Sequence, residues 1–78
     1  MTYPIRLETR EDIYRFSELA SKEDFALYIS TSADMFDARS LLVLYTVLGK
    51  DVTLVAPDHA DSTKFLKFIE KFLNKPAN

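Results

Sequence analysis

Apolar residues in this chain recur at two spacings, every second position or every third and fourth, and each switch between them predicts a new element. Tyr3, Ile5 and Leu7 alternate with Pro4, Arg6 and Glu8, the pattern of a strand buried on one face, with Pro4 at its edge or beginning. Thr9 then stands three residues before Asp12 in a shortened capping box, and Ile13, Phe16, Leu19 and Ala20 follow at helical spacing. A first helix is predicted over about Arg10 to Ser21. Beyond the S-K-E-D turn, Phe25, Leu27 and Ile29 alternate with Ala26, Tyr28 and Ser30 as a second strand. The polar group S-T-S-A leads into a brief third strand through Met35 and Phe36, forming a hairpin with it.

A second, short helix is predicted from near Ser40 to Gly49, the only glycine, with Leu41, Leu44, Tyr45 and Leu48 on its buried face. Val52, Leu54 and Ala56 alternate with Thr53 and Val55 as a fourth strand that ends at Pro57-Asp58. A last helix, about Ala60 to Asn74, carries Phe65, Phe68, Ile69 and Phe72 as its buried stripe. Leu66 and Leu73 widen that stripe, and Lys64, Lys67, Glu70 and Lys71 lie on the other side. The predicted order is β-α-β-β-α-β-α, and strands buried on one side suit an α+β open sandwich with helices on one face of the sheet.

Composition narrows the function more than the fold. A chain of 78 residues is expected to form a single domain, and at that size it buries only about 60% of the surface its unfolded form exposes. Lys+Arg 10 against Asp+Glu 12 leaves a net charge of −2, with acids and bases interleaved, so no basic stripe for nucleic acid is present. The absence of cysteine excludes disulfides and thiolate metal sites. The N-terminus lacks the pattern of a signal peptide, and the longest apolar run, Leu41 to Leu48, is far too short to span a bilayer. A soluble, cytoplasmic protein that does not bind membranes is expected. No Gly-rich phosphate loop, catalytic triad or paired-carboxylate cleft is discernible, so the chain is read as a non-enzyme without metal or cofactor.

The segment Asp34 to Lys50 holds the main candidate chemistry. Ser40, behind Arg39 and ahead of an apolar helix, is a good helix cap, and it is also a place where phosphate would meet unpaired backbone N–H groups and the positive end of the helix dipole. Asp37 would push against such a phosphate. Leu42 and Val43 lie off the predicted buried stripe, which leaves two readings: apolar surface exposed beside Ser40, or a short helix covered by its neighbours. His59 sits between Asp58 and Asp61, two neighbours that favour its protonated, non-nucleophilic form, and it reads as a solvated turn histidine.

The stretch F-D-A-R-S-L-L-V-L-Y-T, together with the order of elements around it, resembles the regulatory-serine region of the HPr family, the small phosphocarriers of the bacterial sugar phosphotransferase system. The resemblance runs from the first strand to the end of the last helix. It implies a single HPr-like domain over residues 1–78, an open-faced sandwich with a four-stranded antiparallel sheet, Ser40 as a phosphorylation candidate, and sugar transport as the setting. It also implies a partner-facing surface on the second helix and the start of the first, with Arg39, Leu41, Leu42, Val43 and Tyr45 as contact candidates. One departure is the short exit T-V-L-G-K-D from the second helix. A larger one is chemical. The family's phosphoryl-accepting histidine position falls on Thr9 and its arginine on Glu11, and threonine forms a far more inert ester while Glu11 and Asp12 repel phosphate.

The leading reading is therefore a divergent HPr-like regulatory protein that binds protein partners, phosphotransferase components or an HPr-type kinase among them, without carrying phosphate on histidine. The alternatives are a phosphocarrier with a non-standard acceptor and a structural or self-associating domain that retains only the fold.

Overall fold

The computed structural model describes residues 1–60 and 62–73. Its elements run β1 (Thr2–Arg6), α1 (Arg10–Ser21), β2 (Tyr28–Ser30), β3 (Met35–Asp37), α2 (Leu41–Thr46), β4 (Asp51–Val55) and α3 (Thr63–Glu70). The four strands form one antiparallel sheet in the order β1-β4-β2-β3. This is the α+β open sandwich that the alternating pattern implies.

Register explains why one sheet face is covered and the other open. The row Tyr3–Leu54–Ile29–Phe36 and the pair Ile5–Val52 point toward the helices, and Ile5, Ile29 and Leu54 are fully buried. The intervening rows, Thr2–Val55–Tyr28–Asp37 and Pro4–Thr53–Ser30–Met35, form the open face. From the helices, Ile13, Phe16 and Ala20 of α1, Leu44 of α2, and Phe65, Phe68 and Ile69 of α3 complete the core. Phe16 meets Phe68 and Phe72 at ring-centroid distances of 5.4 and 5.3 Å, so α1 and α3 are joined by interlocked aromatic rings. Leu73 pairs with Ile5 in an isolated antiparallel bridge, and the Arg6 N–H donates to the Phe72 carbonyl at 2.9 Å, which covers the outer edge of β1.

Several boundaries differ from the pattern-based expectation. β2 begins at Tyr28, because Phe25 to Leu27 keep the inward alternation while lying before the ladder. α3 starts at Thr63 behind the cap Ser62, not near Ala60, which is buried in the preceding turn. It ends at Glu70, ahead of the expected end, because Lys71 and Phe72 turn to bring Leu73 against β1; Asn74 lies outside the described residues. Leu66 is 42% exposed and does not widen the buried stripe of α3.

The face of α2 is also rotated from the expected one. Leu44 and Val47 are buried, whereas Leu41 and Leu48 stand 38% and 37% exposed and Tyr45 is half-buried. α2 has only 6 helical residues, so its neighbours set its orientation and its own periodicity carries little information. Gly49 then takes φ +73°, its N–H donates to the Leu7 carbonyl at 2.7 Å, and its carbonyl accepts from Arg6 Nε and Nη2 at 3.1 and 2.8 Å. α2 itself ends at Thr46, before the expected stop at Gly49, and the left-handed turn at Gly49 fastens the exit to the end of β1. Among the described residues no helix is long and apolar enough to cross a membrane.

Candidate functional site

Two helix N-termini hold the residues of interest. At the start of α1 the Thr9 hydroxyl accepts from the Asp12 N–H at 3.1 Å, and Asp12 Oδ2 accepts in return from the Thr9 and Glu8 N–H groups at 3.3 and 3.0 Å. This capping box takes up the Glu8, Thr9 and Asp12 N–H groups and sets the Asp12 carboxylate at the helix start, where it competes with a bound anion. Glu11 faces away and binds Arg15 at 2.7 Å, one helical turn along. Thr9, Glu11 and Asp12 are thus each engaged in contacts that build α1.

At α2 the Ser40 hydroxyl accepts from the Val43 N–H at 3.5 Å, a long bond at the outer limit of useful geometry. Its neighbour Arg39 is engaged elsewhere. Arg39 Nη2 lies 2.7 Å from Asp37 Oδ2, its Nε 3.1 Å from Asp37 Oδ1, and its backbone N–H donates to Oδ1 at 2.9 Å. The Arg39 side-chain and backbone donors hold the Asp37 carboxyl well below the usual range, at about 2, and the carboxylate raises the Arg39 guanidinium in turn. The loop is also tied to α1, since the Ser17 hydroxyl donates to the Arg39 carbonyl at 3.0 Å. Ser17 is the one buried polar residue among those described, and that bond accounts for its burial.

The apolar residues around Ser40 divide sharply. Leu42 is 82% exposed and Leu41 38%, while Val43 and Tyr45 are half-buried. Tyr14 of α1, 55% exposed, stands edge-on to Tyr45 at 6.2 Å, so the two helices present a joint surface of aromatic and aliphatic groups. Contact with the Tyr14 hydroxyl, and then desolvation, raise the Tyr45 phenol above its ordinary range. Of the sequence-derived candidates, Leu41, Leu42, Val43 and Tyr45 lie on α2 behind Arg39 and Ser40, but as neighbours in a helix they are spread around it, with Leu42 the most exposed. Arg39 reaches Asp37 rather than Ser40.

Sequence reasoning missed Asp37 as the partner of Arg39, Ser17 as the tether, and Tyr14 as part of the surface. The D-x-R spacing was the available signal for the first, since an aspartate side chain often accepts from the backbone two residues on.

His59 lies apart from both helix starts, exposed, with its ring edge-on to Phe25 at 5.6 Å. Asp58 faces the Met1 ammonium at 3.3 Å, and Asp61 lies outside the described residues. No cluster of three or more metal-ligating side chains occurs among the described residues.

No family model and no curated protein matches the chain. Among solved structures it is similar to the crystal structure of HPr-C-His from Thermoanaerobacter tengcongensis, with a TM-score of 0.65 over 91% of this chain and 85% of that one, at 19% identity. The chain has the HPr-like fold.

Proposed function

We propose that this chain is an HPr-like regulatory protein, working as a single domain over residues 1–78, that binds protein partners through the α1–α2 surface and carries no phosphoryl group on histidine. The observation that carries the reading is the contrast between the two helix starts. At α1, the position where HPr-like phosphocarriers hold their histidine is closed by the Thr9–Asp12 box. At α2, apolar groups remain in solvent beside Ser40, with Leu42 at 82% exposure. The exposed leucines of α2, with Tyr14 of α1 beside them, are suited to burial against a partner. No catalytic step is assigned to the chain itself, and phosphotransferase components or an HPr-type kinase are the partners the family resemblance suggests.

In this reading Ser40 is a switch on docking. A phosphate there adds about −1.5 to −2 charge and places two anions, phosphoserine and Asp37, in competition for the guanidinium of Arg39. An anion next to Leu41 and Leu42 opposes apolar docking while leaving the fold in place. Titration of the isotope-labelled chain with Enzyme I, followed by NMR, is expected to shift Tyr14, Leu41, Leu42 and Tyr45, and shifts confined to other faces would refute the assignment. Incubation with an HPr-type kinase and ATP should place phosphate on the wild type and none on Ser40→Ala. An unmodified wild-type peptide would leave Ser40 as a cap only.

A further inference from the structure

The cations of this protein are unevenly satisfied. Arg6 lies beside Glu8 and Asp51, Arg15 binds Glu11, Lys22 binds Glu18 and Arg39 binds Asp37. Lys64, Lys67 and Lys71 have no ion pair among the described residues, and their spacing sets them along one flank of α3. Like charges three and four positions apart weaken a helix, and Lys64 also lies in its first turn, where the macrodipole disfavours a cation. Lys67 and Lys71, near the C-terminal end of α3, suit the dipole, but helix stability does not account for Lys64. The chain as a whole carries a net charge of −2, so this concentration of unmatched positive charge is local.

The same three lysines border a groove of about 250 Å3 between α3 and the end of α1, lined also by Leu19, Glu23 and Phe68. Leu19 is half-buried and Phe68 is 7% exposed, so the groove has a small apolar floor with ammonium groups beside it. We propose that this groove is a second docking surface, separate from α1–α2, that takes an acidic segment of a partner protein. One apolar side chain of the segment is seated over Leu19 and Phe68, and its carboxylates meet the lysines. Glu23 at the α1 side sets the polarity, since it repels carboxylates there and directs them toward α3. A flat anionic lipid surface makes no use of a concavity, and three lysines on a chain of net negative charge give it little hold.

The test is NMR titration of the full chain with a synthetic amphipathic peptide of glutamate and leucine. A lysine–leucine peptide of the same pattern and vesicles of mixed phosphatidylserine and phosphatidylcholine serve as comparisons. The acidic peptide is expected to shift Leu19, Lys64, Lys67, Phe68 and Lys71, to bind more weakly as salt rises, and to lose roughly tenfold or more in affinity with K64E/K67E. Glu23→Gln should tighten binding, which separates a charge-directed site from a misfolded variant. Absence of acidic-peptide binding, shifts on another face, equal binding of the basic peptide, or binding to vesicles without binding to the peptide would each overturn the proposal.

Discussion

Arg39 closes onto Asp37 in a two-pronged ion pair, Nη2 to Oδ2 at 2.7 Å and Nε to Oδ1 at 3.1 Å, two residues apart and directly before Ser40. This pair decides how the loop ahead of α2 meets an anion, because the cation that neighbours Ser40 in sequence already has a carboxylate. It also fixes the loop, since Ser17 on α1 holds the Arg39 carbonyl.

The pair should be visible in acid. Asp37 is held at about 2 by the donors of Arg39, below its value in the unfolded chain. Its contribution to stability is therefore complete above the ordinary carboxylate range and fades as the pH falls through about 2. A carbon-detected NMR titration should give Asp37 a midpoint near 2, and Arg39→Ala should return it toward 3.8. With side-chain exposures of 56% and 43% the pair is open to solvent, so molar salt should also raise the midpoint.

The two helix caps should differ in strength. Thr9 and Asp12 satisfy each other's backbone donors, whereas Ser40 makes a single bond of 3.5 Å. Thr9→Ala is expected to cost about 1–2 kcal/mol and Ser40→Ala about 0.5 kcal/mol, the two ends of the usual range for caps. Urea unfolding with unchanged m-values would measure both.

Substitutions on α2 should separate binding from folding. Leu42, 82% exposed, should accept Asp with a stability change within about 0.5 kcal/mol while docking on the α1–α2 surface is lost. Leu44, fully buried, should cost about 2–5 kcal/mol as Ala. Thermal unfolding alongside Enzyme I titration would show whether the two effects divide in this way.

Gly49 offers a purely conformational test. A Cβ built there meets nothing within 4 Å, so the φ of +73° is the sole objection to a side chain. Gly49→Ala should cost about 1–2 kcal/mol through the left-handed backbone, and Gly49→Asn less. Equal stability of all three would mean that the turn rearranges.

Much of the fold was legible because the strands alternate cleanly and α3 repeats its aromatic stripe. Ile5, Ile29 and Leu54 fall inward as their spacing implies, and Gly49 takes the left-handed turn after α2, although the helix itself stops earlier, at Thr46. The face of α2 was not legible, since 6 residues contain too few turns to define a stripe and the Leu44–Val47 face is fixed by packing. The order β1-β4-β2-β3 is non-local and leaves no trace in spacing. At the site, Ser40 and Thr9 were readable from capping chemistry. The D-x-R spacing marks the backbone half of the Asp37–Arg39 contact, but the turn of the guanidinium to Asp37 rather than Ser40, and the Tyr14–Tyr45 contact, are settled by three-dimensional geometry.

The central question is whether the chain accepts a phosphoryl group from phosphoenolpyruvate as a carrier does. Incubation with labelled phosphoenolpyruvate and Enzyme I, read by intact-mass spectrometry and by label loss in acid, measures this directly. With Thr9 used as a cap and the exposed His59 edge-on to Phe25, the expected result is a chain free of acid-labile phosphate. Stoichiometric acid-labile phosphate on His59 would contradict the non-carrier reading.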